Sequence, residues 1–341
     1  MSLLWRCALV VAVIGGGLLL AETKEDAAVV GPRTVPASVV LGNEDFAVTI
    51  GLDGRQLAQE FGPRFDTTAW IKQVCAGKRR FLLEGHGLTD EFGLSGVGVL
   101  GYESAHTGQS FVKIGVGELT RDSDEKYRFS HCYPTKKWFP TRVTDYRFDR
   151  LSVEQTGGRG DWAYEYRKTY RLRPADHRLT IRYELRNTGH RPIRFEQYNH
   201  NWFRVDKMPI DDQYSIQVAF AVKSPDKPWC ALNNGRFALL GNVRSPVYFS
   251  QRVAATERQN IVTMRHAASQ CQITVTGDFA PSMFALYGQQ DALCPEILAD
   301  KEVAPGKTVS WERSYRFSTP SNLSRPSESS RRAPRVNYPS G

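Results

Sequence analysis

A chain of 341 residues, 41% of them hydrophobic, is long enough to bury a full core without disulfide staples. Its formal charge of +9 includes Arg6 in an apolar leader and, after Phe317, four arginines against one glutamate, which leaves 9 − 1 − 3 = +5 for the body. Spread among interspersed acids, that excess excludes a nucleic-acid footprint.

Residues 1–21 read as a signal peptide, with Arg6, the apolar run Cys7 to Leu20, and Ala21 before a charged segment. The run is short for a membrane span, so cleavage near Glu22 should give an exported protein, periplasmic or extracellular, with no stable membrane association. A linker over 22–38, a folded domain over 39–317 and a disordered basic Ser/Pro/Arg tail over 318–341 complete the expected organisation. Cys75, Cys132, Cys230, Cys271 and Cys294 then remain, without C-x-x-C or Cys/His spacing, so no metal site and at most one disulfide are expected.

Phe46–Ile50, Ile71–Val74 and Arg80–Leu83 have the composition of short strands, joined by turns at Leu52-Asp-Gly-Arg55 and Gly77-Lys78. Pro63 breaks any helix across Phe61–Trp70, where Arg64, Asp66 and Trp70 suit a polar pocket; the plain alternative pairs Arg64 with a carboxylate such as Asp66. Glu84–Gly93 reads as a glycine-rich acidic loop offering His86, Asp90 and Glu91 as ligand contacts. Gly96-Val-Gly-Val-Leu-Gly101 has dinucleotide-motif spacing but opens no helix, so no cofactor is expected.

Leu179, Ile181, Tyr183 and Leu185 alternate with polar residues as a half-buried strand, and Asn187-Thr-Gly-His190 turns the chain into an antiparallel strand, Pro192–Phe203. Period two puts Glu196, Tyr198, His200 and Trp202 on one face and Phe195, Gln197, Asn199 and Asn201 on the other. Acid, phenol, imidazole and indole make a poor core but a suitable wall for a sugar; the plain alternative is an edge strand with a solvated histidine. Short strands continue after Tyr214 without long amphipathic helices, which sets the class as all-β, a large sandwich of two or more sheets. Cys294-Pro-Glu-Ile-Leu298, before the last strand Thr308–Phe317, reads locally as a loop, with Glu296 as a surface carboxylate.

Asn199-His200-Asn201-Trp202-Phe203 resembles the Asn-His-(Ser/Thr)-(Tyr/Trp)-Phe strand of aldose 1-epimerases, the galactose mutarotase-like family, and a looser likeness to a divergent branch extends over roughly residues 42–317. The resemblance implies a β-supersandwich of antiparallel sheets, with His200 as catalytic acid and Glu296 as base. It implies Arg64, in Gly62-Pro-Arg-Phe65, as a contact to substrate hydroxyls. His86 stands for a further histidine, although the residues around it depart from the family motif. Glu91, Tyr198, Asn199 and Trp202 would help orient a small sugar or oligosaccharide. The implied chemistry takes a proton from the C1 hydroxyl while protonating the ring oxygen, with no metal or cofactor. Two other classes stay open: a carbohydrate-binding protein without the reaction, and a polysaccharide hydrolase or lyase pairing Glu196 or Glu91 with Glu296.

Overall fold

Burial along the chain alternates with the two-residue period of strands: in Arg178–Asn187, Leu179, Ile181, Tyr183 and Leu185 are buried while the residues between them meet solvent. The computed structural model describes residues 36–223 and 227–323, and the strands described pair antiparallel into three sheets. One large sheet runs in the order Ser38–Gly42, Phe46–Gly51, Trp70–Ala76, Leu88–Phe92, Ile193–Asn201, Ala292–Val303, Met283–Gln289 and Val247–Arg252. The other is centred on Trp162–Arg173, Arg178–Asn187 and Thr308–Ser318. Val99–Leu100, Ser110–Lys113, Gly117–Thr120 and Thr135–Trp138 form the small third sheet. The architecture is the all-β sandwich expected of the sequence.

Between the large sheets the core is aromatic and partly ionic. Tyr183 stacks on Trp311 with centroids 5.1 Å apart. Beside them Lys168 Nζ donates to the Ala69 carbonyl at 2.5 Å and to Asp90 Oδ2 at 3.0 Å, and lies 3.0 Å from Asp66 Oδ2. Burial opposes the Lys168 charge, but Asp66, Tyr170 and Asp90 overcome it and hold the ammonium above its ordinary pKa.

Several expectations are corrected. The strand after Asn187–His190 does not pair with the one before it; the two lie in different sheets. Asn187 builds that corner, donating from Nδ2 to the Arg191 and Val303 carbonyls at 2.8 and 3.0 Å and accepting from Gly189 N at 3.0 Å. Asp53 and Gly54 open a helix, Gly54–Phe61, rather than closing a turn: Asp53 accepts from Arg55 N at 3.2 Å, and the helix stops at Gly62, with φ of 61°, just before Pro63. Glu84–Gly93 is not all loop, since Leu88–Phe92 is a wholly buried strand. Order also runs past 317, as Ser318 ends the last strand and Pro320–Leu323 forms a helical turn. The expected leader, with most of the linker and tail, lies outside the described residues.

Candidate active site

The strand Ile193–Asn201 lies between Leu88–Phe92 and Ala292–Val303. Its register pairs Ile193 with Val303 and Gln197 with Ala299, and continuing that register sets His200 opposite Glu296. Pro295 has no N–H to extend the ladder there, and its carbonyl instead accepts from Asn201 Nδ2 at 2.6 Å. His200 Nδ1 comes within 3.2 Å of Glu296 Oε1, with side chains 6% and 4% exposed. The two atoms touch without hydrogen-bond alignment, and neither has a hydrogen-bond partner among the described residues.

Aromatic rings wall the pair. Trp202 stacks on the imidazole, 4.1 Å between centroids and 6° from parallel. Phe65 and Tyr287 meet the His200 ring edgewise at 5.8 and 5.6 Å. His86 meets Trp202 at 4.5 Å, and its Nε2 lies 3.6 Å from Glu60 Oε1. On the Tyr198 side, Arg64 donates from Nε to Glu91 Oε2 at 3.0 Å and from Nη2 to the Tyr198 hydroxyl at 3.2 Å. That hydroxyl in turn donates to Glu91 Oε2. The guanidinium lies over Phe65 and Phe129 at 4.5 and 4.7 Å. Lys113 Nζ lies 3.9 Å from Glu91 Oε1 and donates to the Tyr127 hydroxyl at 3.0 Å.

Burial sets the electrostatics. It holds the Glu296 carboxyl well above the ordinary carboxylate range; Arg64 pulls back and Glu91 adds to the rise. It pushes the His200 imidazole well below its ordinary value, with Arg64 and His86 adding to the fall. Neutral forms are therefore favoured in both groups, an un-ionised acid against a free base with one proton between them. For Arg64, burial is outweighed by Glu91 and Tyr198, and the guanidinium stays charged. Burial brings Lys113 down to about 8, against the pull of Glu91. Among the described residues, no group of His, Cys, Asp and Glu is arranged to hold a metal ion.

Of the residues named from sequence, His200, Glu296, Trp202 and His86 meet at one spot, and Arg64, Glu91 and Tyr198 form an ion-paired edge beside it. Asn199 is a correction. Period two turns it away from His200 into the layer between the sheets, where it is 1% exposed and donates to Asp90 Oδ1 at 2.8 Å. Asp90 is likewise structural rather than a ligand contact. Arg64 pairs with Glu91, not with Asp66. Glu296 lies in a buried strand, not a surface loop. Glu196 accepts from Ser95 and Arg252, and lies four residues from His200, about 13 Å along a strand, too far to share a bond with Glu296 across the sheet.

Sequence reading missed Phe65, Tyr287 and Lys113. A single lysine inside Phe111-Val-Lys-Ile114 was a visible signal for the last. Tyr287 carried none, because its place depends on the pairing of Met283–Gln289 with Ala292–Val303.

No protein-family model and no curated protein matches the sequence. Solved structures match the fold. A candidate aldose 1-epimerase from Escherichia coli K12 superposes with a TM-score of 0.56 at 14% identity, covering 83% of this chain and 99% of that one. For a galactose mutarotase-like protein from Lactobacillus casei the TM-score is 0.55 at 11% identity, covering 82% of this chain and all of that one. An aldose epimerase homologue from C. elegans gives 0.52 at 11% identity, covering 83% and 99%. At these identities the likeness carries the fold alone.

Proposed function

We propose that this chain, which has the galactose mutarotase-like fold, is a carbohydrate-active protein of the aldose 1-epimerase kind that interconverts sugar anomers by acid–base ring opening. One observation carries the reading: inside an aromatic wall, His200 Nδ1 and Glu296 Oε1 meet at 3.2 Å, where burial favours the neutral form of each. Mutarotation needs one proton to leave the C1 hydroxyl and one to reach the ring oxygen as the bond from C1 to that oxygen breaks. Rotation about C1–C2 and reclosure reverse both transfers. A pair holding one proton serves both directions with no net proton uptake.

Burial favours the neutral imidazole and the un-ionised carboxyl, so His200 serves as base and Glu296 as acid at the outset. This is the reverse of the polarity that the family resemblance implies, and the two descriptions differ by the position of one proton within the pair. Four buried atoms here, His200 Nδ1, Glu296 Oε1, Glu91 Oε1 and Trp202 Nε1, have no hydrogen-bond partner among the described residues. Sugar hydroxyls supply the complementary donors and acceptors.

A second reading, carbohydrate binding without turnover, draws on the same contact. A pyranose reaches both groups only if they part, and the His200 ring already covers a face of Trp202. His200→Asn and Glu296→Gln separate the two readings. Each substitution should lower anomer exchange by about a hundredfold to ten-thousandfold while leaving sugar affinity nearly unchanged. A native chain that binds aldoses yet leaves their spontaneous rate untouched would establish the second reading instead.

A further inference from the structure

The strand Ser110–Lys113 lies between Val99–Leu100 and Gly117–Thr120 in the small sheet, and period two sets Phe111 and Lys113 on one face of it. Phe111 packs there with Tyr102, Tyr127 and Tyr133. Lys113, at the end of the same face, is 1% exposed. Its Nζ donates to the Tyr127 hydroxyl at 3.0 Å and lies 3.9 Å from Glu91 Oε1, near but not hydrogen-bonded. A lysine is seldom buried so fully with so few acceptors.

Glu91, directly opposite Tyr198 in the strand register, is 0% exposed, and its two oxygens are used unequally. Oε2 accepts from Arg64 Nε at 3.0 Å and from the Tyr198 hydroxyl. Oε1 has no hydrogen-bond partner among the described residues and faces Lys113. An arginine beside a carboxylate commonly closes a fork over both oxygens. Here Arg64 meets one oxygen with one nitrogen, so that Nη2 goes to the Tyr198 hydroxyl at 3.2 Å and Nη1 makes no hydrogen bond among the described residues. With its side chain 23% exposed, Arg64 is the member of this cluster that reaches the surface.

We propose that Lys113 is a positioning residue for sugar binding: by drawing Glu91 Oε1 towards itself it keeps that carboxylate from closing a fork on Arg64, and so leaves Arg64 and Tyr198 set for substrate hydroxyls. The proposal rests on the carbohydrate reading of the site. Opposite charges this close and this buried attract strongly. When Lys113 is neutral or replaced, Oε1 turns to Arg64 Nη2, the Tyr198 hydroxyl is displaced, and the guanidinium is fully engaged by Glu91. That pair still balances its own charges, so the fold survives the loss of Lys113. The charged and titratable groups facing Lys113 among the described residues are Glu91 on Leu88–Phe92, Arg64 after the helix, and Tyr127 in the loop after Gly117–Thr120. Burial brings Lys113 down to about 8 and raises Tyr127 and Tyr198, while Arg64 stays charged, so the ammonium is the group that loses its charge as pH rises through about 8.

The test is the affinity of the full chain for D-glucose, D-galactose and D-xylose, by NMR titration from about pH 7 to about pH 9.5. For at least one sugar the native dissociation constant should rise about tenfold through that range. Lys113→Met, of similar length, should bind about tenfold more weakly than the native chain at the low end and show no such rise. Adding K113M to E91Q should change affinity by less than about twofold, because without a carboxylate there is no fork to close. A crystal structure of K113M should show Glu91 Oε1 on Arg64 Nη2, a readout that needs no sugar, just as the native pH series needs no variant. Native affinity that is flat through pH 8, native affinity in K113M, additive losses in E91Q/K113M, or a K113M structure with Arg64 still on Oε2 alone would each overturn the proposal. Sugar binding that ignores Lys113 sinks the proposal and leaves the carbohydrate reading standing. A native chain that binds none of the aldoses overturns that reading and the proposal with it.

Discussion

Glu296 is a carboxyl held where its anion is poorly supported. Among the described residues its Oε1 lacks a hydrogen bond, and Arg64, which pulls its pKa down, is already committed to Glu91. Unfolded, the group ionises near its ordinary 4.5; folded, it ionises higher. Its neutral form therefore favours the fold fully below pH 4.5, and that contribution is lost as pH rises toward and through the folded value. Glu296→Gln, which cannot ionise, should raise stability by roughly 1–2 kcal/mol near neutral pH, with the gain vanishing below about pH 4.5. Urea unfolding over that pH range checks this, and a gain independent of pH would contradict it. His200 has the opposite sign: its folded pKa lies below 6.5, so stability is lost as pH falls from 6.5 through the folded value. Of the two, His200 was legible in the sequence from its strand face. Glu296 rested on the resemblance, because Cys-Pro-Glu reads locally as loop and its burial depends on strands far apart in the chain.

At the scale of elements, Leu88–Phe92 does more than its sequence announces. Asp and Glu have weak strand preference and glycines flank the segment, so it reads as loop. Buried between Trp70–Ala76 and Ile193–Asn201, it puts Asp90 where the carboxylate accepts from Gln197, Asn199, Tyr183 and Lys168. Asp90 thereby braces the back of the strand whose front carries His200. Lys168→Met would leave Asp66 and Asp90 buried without their cation, and should cost about 3–5 kcal/mol in denaturant unfolding. A loss under about 1 kcal/mol would mean that the ionic layer is not what joins the sheets there. Most strands were legible because period two is a local signal, as in Leu179–Leu185. Sheet membership was not, since the corner at Asn187 depends on Val303, more than a hundred residues away. Asp53-Gly54 shows a different limit: the pair serves equally as a turn and as a helix start, and only the chain that follows decides.

For the whole molecule, strand period gave the all-β class, the resemblance centred on Asn199 to Phe203 pointed to the mutarotase-like fold, and structures at 14% identity or less share that fold. The site was legible in part. His200 and Glu296 do come together, but the rings and the Lys113 that surround them come from strands and loops whose approach no local pattern encodes. The central claim is that this buried pair, with its one proton, opens and recloses an aldose ring. Magnetisation-transfer NMR of anomer exchange, over several aldoses and a series of pH values, tests it most directly. The account predicts exchange faster than the spontaneous rate for at least one aldose, with an acid limb below pH 6.5, because a second proton reaches His200 only below its ordinary titration. Exchange at the spontaneous rate for every sugar that binds, or an acid limb at or above pH 6.5, would contradict it.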